Sequence, residues 1–237
     1  MKNYFLLTLF AFLTISCSSD KDKASSDSDS VECIKCQEMQ VGETFVQDGV
    51  TYTVVDDESL RQAVEEGGDM KTVCTSNVTS MRDLFRDNET FNDDISQWDV
   101  SNVTVFKKMF ARTKAFNQNI GSWDVSKGEN FFKMFEGAES FNQDIGSWNT
   151  QSAKDMGKMF QGTKAFNQDI SDWDVSSVES FFSMFEYAEA FNQDLSSWEV
   201  SLARVDDGFD HCREFSKDAA NWTLPKPNFT NCDCGCK

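Results

Sequence analysis

The chain has 237 residues, with 22 Lys plus Arg against 40 Asp plus Glu, one His, two Pro and eight Cys, so its formal charge is −18. A balance this acidic excludes nucleic acid and anionic lipid headgroups as partners, because like charges repel over a Debye length of about 10 Å. With 39% hydrophobic residues and 22 Phe, the chain can bury a real core, which excludes wholesale disorder and allows one or two domains.

Residues 1–16 read as an export signal: Lys2, an apolar run from Tyr4 to Ile15, then Ser16 before Cys17. The run is shorter than the roughly 20 residues that span a bilayer. The segment resembles a bacterial lipoprotein signal, and that resemblance implies a lipid on Cys17. Residues 17–40 then read as a tether, Ser, Asp and Lys making up most of Ser18 to Glu32, too polar to offset the entropy of ordering.

The hairpin signal Asp48-Gly49 lies between Thr44-Phe45-Val46 and a run from Val50 to Val55, and a short helix is expected over Glu58 to Glu66. Residues 41–71 are therefore expected to form an N-terminal cap.

Residues 72–224 carry an internal repeat. Phe-Asn starts recur every 25 residues at Phe91, Phe116, Phe141, Phe166 and Phe191, and a degenerate start follows at Phe215. All six Trp fall seven residues after a start, at Trp98, Trp123, Trp148, Trp173, Trp198 and Trp222. Met-Phe pairs recur at Met109-Phe110, Met134-Phe135, Met159-Phe160 and Met184-Phe185. Around each Trp the pattern alternates, which predicts a short strand. Phe106, Met109, Phe110 and Thr113 are spaced i, i+3, i+4, i+7, which predicts a short helix capped by Ser101-Asn102. One such unit cannot bury its Phe, Met and Trp alone. The expected fold is an α/β repeat solenoid, leucine-rich-repeat-like, with one strand and one helix per 25-residue turn and these Phe, Met and Trp columns as its core.

With F-N-Q-D-I-G-S-W, then D-V-S, then M-F laid out, the chain resembles the BspA-like bacterial surface proteins. The resemblance implies a leucine-rich-repeat-like protein displayed on the cell surface, with adhesion or host binding in some members.

Residues 225–237, with Pro225, Pro227 and a Cys cluster, are expected to close the far end. Cys33-x-x-Cys36 and Cys232-x-Cys234-x-Cys236 have spacings that zinc accepts, but stacked turns about 4.8 Å apart would hold the two clusters about 25 Å apart, too far for one site. In an exported chain Cys33, Cys36, Cys74, Cys212, Cys232, Cys234 and Cys236 are better read as disulfide partners, with no metal expected. Cys212 aligns with the inward Ala138 and Ala188, which leaves a buried thiol as its other reading.

Nothing in the sequence assembles a catalytic constellation. His211 stands beside Cys212 without a recognisable nucleophile and orienting partner. Asp94, Asp144, Asp169 and Asp194 repeat at equivalent positions, which suits backbone bonding at turns rather than one asymmetric active site. No enzyme activity, cofactor or small-molecule substrate is expected. The outward positions form two rows, Gln97, Ser122, Ser147, Asp172 and Ser197 beside Asp99, Asp124, Asn149, Asp174 and Glu199. This acidic strip is the candidate binding face, and a basic host or matrix protein its expected partner. The expected function is that of a lipid-anchored protein of the bacterial outer membrane or cell surface, acting as a binding or adhesion module or as a passive surface repeat without a specific ligand.

Overall fold

The computed structural model describes residues 33–206 and 208–232. Cys17, Cys234 and Cys236, together with the signal and most of the tether, lie outside them.

The hairpin forms as the Asp48-Gly49 signal requires. Strand β1 (Thr44–Gln47) pairs antiparallel with β2 (Val50–Val54), and Asp48 and Gly49 take φ of 51° and 80°, the left-handed pair of a type I′ turn. Helix α1 (Asp57–Glu65) comes next, opened by a capping box in which Asp56 and Ser59 satisfy each other's backbone N–H groups. Strand β3 (Val73–Cys74) then adds to β2 in parallel, so the sheet order is β1-β2-β3. Residues 33–40, expected as tether, are packed from their first residue: Cys33, Ile34 and Cys36 are buried, the Ile34 N–H donates to the Gln97 carbonyl at 3.0 Å, and Cys36 is bonded to Cys74.

From Met81 onward the 25-residue units stack directly on one another. Parallel bridges join Ser80, Val105, Asn130, Asp155 and Ser180, one per unit. Phe85, Phe110, Phe135, Phe160 and Phe185 form one column with centroids 5.4 to 5.7 Å apart. Phe91, Phe116, Phe141, Phe166 and Phe191 form a second, 5.8 to 6.0 Å apart. The Trp of each unit is buried, and its indole N–H donates to a carbonyl one unit back, as Trp148 does to Ile120 at 3.0 Å. A buried indole needs such a partner, and the neighbouring backbone supplies it at each step.

The expected helix is absent from the units. Among the described residues α1 is the α-helix, and Phe106 to Thr113 is instead a run of turns. The Met109 N–H donates to Phe106 and the Thr113 N–H to Phe110, each closing a four-residue turn whose third residue has positive φ: Lys108 at 58° and Arg112 at 60°. That is the φ a type II turn needs at its third position. Its central peptide lies across the coil, so the Lys107 carbonyl accepts from Asp83 in the unit before while the Lys108 N–H donates to Phe132 in the unit after. The same pattern places Phe106, Met109, Phe110 and Thr113 inside, which is why the sequence imitates a helix face. The expected strand around each Trp is likewise reduced to turns, with the isolated bridges as the parallel pairing between units.

Two assignments in the last unit change. A hairpin of β4 (Val205–Asp206) and β5 (Phe209–Asp210) is inserted there, shifting the later residues six positions out of the 25-residue register. Trp222 therefore continues the Phe191 column, its ring 4.8 Å from Phe191, and Phe215 continues the Met184 column by accepting the Phe185 N–H. The degenerate start at Phe215 is a coincidence of spacing. Cys212 continues the Phe181 column, and Ala219 takes the place that Ala138 and Ala188 hold.

Both ends are closed. Leu60 of α1 is buried, Asp57 accepts from the Thr79 and Ser80 N–H groups, and Arg61 donates to the Arg82 carbonyl. At the far end Phe229 packs on Phe181 and Phe215, and a disulfide ties Cys232 to Cys212.

Trp148→Ala is expected to cost about 3 to 5 kcal/mol, because it removes a buried, packed ring together with its indole hydrogen bond to the Ile120 carbonyl. Equilibrium urea unfolding measures this, and a variant as stable as the parent would place the ring outside the core.

Candidate functional site

The repeated polar residues divide between building the turns and facing solvent. Asp94, Asn119, Asp144, Asp169 and Asp194 each accept, through Oδ1, the N–H two residues on. Asp124, Asn149 and Asp174 do the same one turn later. These are Asx turns, the backbone duty that their regular spacing suggested. The Asn of each start bonds the next unit: Asn117 N–H donates to Asn92 Oδ1, Asn142 to Asn117, Asn167 to Asn142 and Asn192 to Asn167. Each carboxylate in the Asp94 column thus spends Oδ1 on its own turn, and Asp94, Asp144, Asp169 and Asp194 are all exposed.

The expected binding strip is only partly formed. Gln97, Ser122, Ser147, Asp172 and Ser197 are exposed, as are Asn149, Asp174 and Glu199, while Asp124 is half-buried. Asp99 does not belong to the strip. It is 2% exposed, accepting from the Ser76 and Ser101 hydroxyls where the cap meets the first unit.

The Cys36–Cys74 bond lies at one end of the stack and the Cys212–Cys232 bond at the other. Cys36 bonds Cys74 and Cys212 bonds Cys232, and Cys33 is disulfide-bonded as well. Asp210, Cys212 and Cys232 place their ligand atoms within 4.8 Å of one another, but the disulfide occupies both thiolates that a metal would need. His211 packs edge-on against Phe209 at 4.9 Å. A cavity of about 300 Å³ lies between the hairpin and α1, lined by Val54, Val55, Ala63 and Met70. Ser59, Gln62, Glu66 and Asp69 also line it.

A second face escaped sequence reasoning. On the turn side, Lys108, Lys133 and Lys158 occupy one column on three successive units, all half-buried. Beside them Phe132 and Phe182 lie half-buried at the surface, with Lys107 5.1 Å from the Phe132 centroid, Lys133 5.7 Å from it, and Lys158 5.1 Å from Phe182. Phe209, 46% exposed, extends the strip against Phe182 at 5.2 Å. The signal was present as Phe131-Phe132 and Phe181-Phe182, two doublets in which one ring enters the core and the other cannot. Two other solvent columns alternate in sign, with Lys114 on Glu89 and Lys164 on Glu139 in one and Lys154 on Glu129 in the other.

Hydrogen bonds from Ser96, Ser171, Ser176 and Ser196 hold the Asp94, Asp169, Asp174 and Asp194 carboxyls below the ordinary value of 3.8. Asp155 is the opposite case. Burial pushes its carboxyl up, against the Gly157 N–H and the positive field of Lys107 and His211.

A family model described as Mycoplasma protein of unknown function, DUF285, matches residues 57–161 and again residues 142–232. The overlap of the two matches falls within the repeats. Neither a curated protein nor a solved structure matches the chain.

The lowered carboxyls stabilise the fold fully above pH 3.8 and lose that contribution as pH falls through their folded values. The urea midpoint is therefore expected to hold level from pH 7 to about pH 5 and to drop below about pH 4, less steeply in Asp169→Asn, which keeps the turn acceptor as Asn119 and Asn149 do. Asp155 has the reverse sign: its ionised form costs stability at neutral pH, and the cost vanishes once the pH is below 3.8. Asp155→Asn, copying Asn130 in the unit before, should raise the midpoint at pH 7 and leave it unchanged near pH 3. A midpoint lowered at pH 7 would contradict this.

Proposed function

The chain belongs to the family described as Mycoplasma protein of unknown function, DUF285, a family of bacterial surface repeats, and from that membership we propose that it is a cell-surface lipoprotein of BspA-like type whose repeats form a solenoid that binds other proteins. The carrying observation is that the stacked units display the same side chains at fixed intervals on a continuous exposed surface. Such a surface serves many weak, equivalent contacts and offers no single asymmetric centre for catalysis. We read the chain as non-enzymatic on that ground.

Asp172, Asp174 and Glu199 with the neighbouring Asp144, Asp169 and Asp194 give the acidic face an exposed negative field, suited to a cationic protein surface, and a host or matrix protein is the proposed partner. The lipid on Cys17 would tether many copies side by side, so individually weak contacts would add through effective concentration. The disulfides at both ends suit an oxidising exported location. The reading of a passive surface repeat draws support from the same face, which lacks the Trp, Tyr and Arg that dominate most interfaces.

Two measurements separate these readings. Cys17→Ala should leave the protein in the soluble fraction or its signal uncut, whereas unchanged membrane fractionation with an unchanged mature mass would remove the lipid anchor. A pull-down of basic matrix proteins with the full chain should be weakened at least tenfold by Asp124→Lys/Asp172→Lys/Asp174→Lys and by raising salt. Recovery of no partner would favour the passive surface repeat.

A further inference from the structure

The stacked lysines need an explanation that the fold does not provide. Like charges one unit apart repel, and the chain relieves that repulsion on some of its solvent columns by alternating Glu and Lys. Lys108, Lys133 and Lys158 instead repeat one sign on three successive units, as Asp144, Asp169 and Asp194 do with the opposite sign. Of the strip's lysines, Lys133 has a carboxylate partner, Glu136 at 2.6 Å, while Lys107, Lys108 and Lys158 form no ion pair among the described residues. Phe132 lies under the ammonium groups of Lys107 and Lys133, and Phe182 under that of Lys158. The result is a cationic ladder with aromatic footing on a chain whose formal charge is −18.

We propose that this strip is a docking surface for a second copy of the same chain, and that the aspartate column of one copy seats on the lysine column of the next. The argument is charge and spacing together. Asp144, Asp169 and Asp194 are exposed on three successive units, each with Oδ1 engaged in its own turn. Both columns belong to the same stack, whose two Phe columns step by 5.4 to 6.0 Å per unit. Three lysines therefore meet three aspartates in register. An extended acidic peptide presents same-face side chains about every 6.6 Å and falls out of step over the same three contacts.

The contact is heterologous, since the lysine column of one copy meets the aspartate column of another, and it therefore propagates sideways into rows rather than closing as a pair. Net repulsion between copies does not forbid it. At physiological salt the Debye length is about 8 Å, so charges in contact across the strips are screened much less than distant ones. The proposal rests on the reading of the acidic face as a cation-binding surface and names the chain itself as one cationic partner.

The test is sedimentation velocity of the full chain at increasing concentration in about 0.15 M salt. Concentration-dependent association is expected, lost at about 1 M salt, and weakened at least tenfold in Lys108→Glu/Lys133→Glu/Lys158→Glu and in Asp144→Lys/Asp169→Lys/Asp194→Lys. Unchanged circular dichroism verifies each fold, with the milder Lys→Gln triple as a second probe. Mixing the two reversed variants should restore association, because each carries the column the other needs. A parent that stays monomeric at millimolar concentration, or a lysine-reversed variant that associates like the parent, overturns the proposal. A monomeric parent retained on an immobilised polyuronate would also overturn it and assign the strip to an anionic glycan. Binding of the parent to basic matrix proteins, measured alongside, shows whether the acidic-face reading stands on its own when self-association fails.

Discussion

The peptide groups that lie across each coil are the interaction on which the rest of the structure depends. In Phe106 to Thr113 every second peptide offers its carbonyl to the unit before and its N–H to the unit after, so each unit is hydrogen-bonded to both neighbours. Directing a peptide that way requires a left-handed residue at the third position of each type II turn. Lys108, Lys133 and Lys158 accept that conformation at one position, and Arg112, Gly137, Gly162 and Tyr187 at the other. A left-handed residue with a side chain costs about 1 to 2 kcal/mol, and the backbone bonds on both sides with the buried rings beneath offset it. The ladder is also polar, with donors facing the C-terminal end and acceptors facing the N-terminal end. Its first and last units must therefore be closed by other means. Asp57 and Arg61 of α1 serve one end, and the Cys212–Cys232 bond with Phe229 serves the other.

Stacking on this ladder fixes where every other side chain goes. A residue that recurs each 25 positions is set directly over its copies, so Phe stacks on Phe and each indole reaches the same carbonyl one unit back. The same rule governs the surface. It turns a single Asn into a ladder of side chain to backbone bonds, and it turns the choice of one charged residue per unit into a column of charge. Alternation neutralises such a column, as Glu89 and Lys114 show, while repetition of one sign leaves it open to an external counter-charge. Surface recognition in this protein is therefore a property of columns.

Much of this was legible in the sequence, because period and burial go together. The 25-residue spacing of Phe-Asn, Trp and Met-Phe marks the residues that face inward, and Asp48-Gly49 marks the hairpin. The local backbone was not legible. Phe106, Met109, Phe110 and Thr113 have helical spacing, yet paired type II turns bury the same four positions. Glycine at 137 and 162 was the trace of the left-handed sites, obscured by Arg112 and Tyr187 at equivalent places. The last unit misled for another reason: the β4-β5 insertion breaks the register, and Phe215 and Trp222 happen to keep the separation of a regular start and Trp. On the surface, Asp99 read as outward because its neighbours in the column are, although contact with Ser76 of the preceding half-unit covers it. The lysine strip was missed because its members come from different units, and only stacking makes them adjacent.

A substitution at one left-handed position decides between turns and helices most directly. Lys108 has φ of 58° and forms no ion pair among the described residues. Glycine adopts that φ freely, so Lys108→Gly should leave the free energy of urea unfolding equal to the parent's or raise it by up to about 1 kcal/mol. In a helix the same change would lower it by about 1 kcal/mol. A loss of that size, with the far-ultraviolet dichroism of a helix-rich protein, would contradict the account of stacked turns.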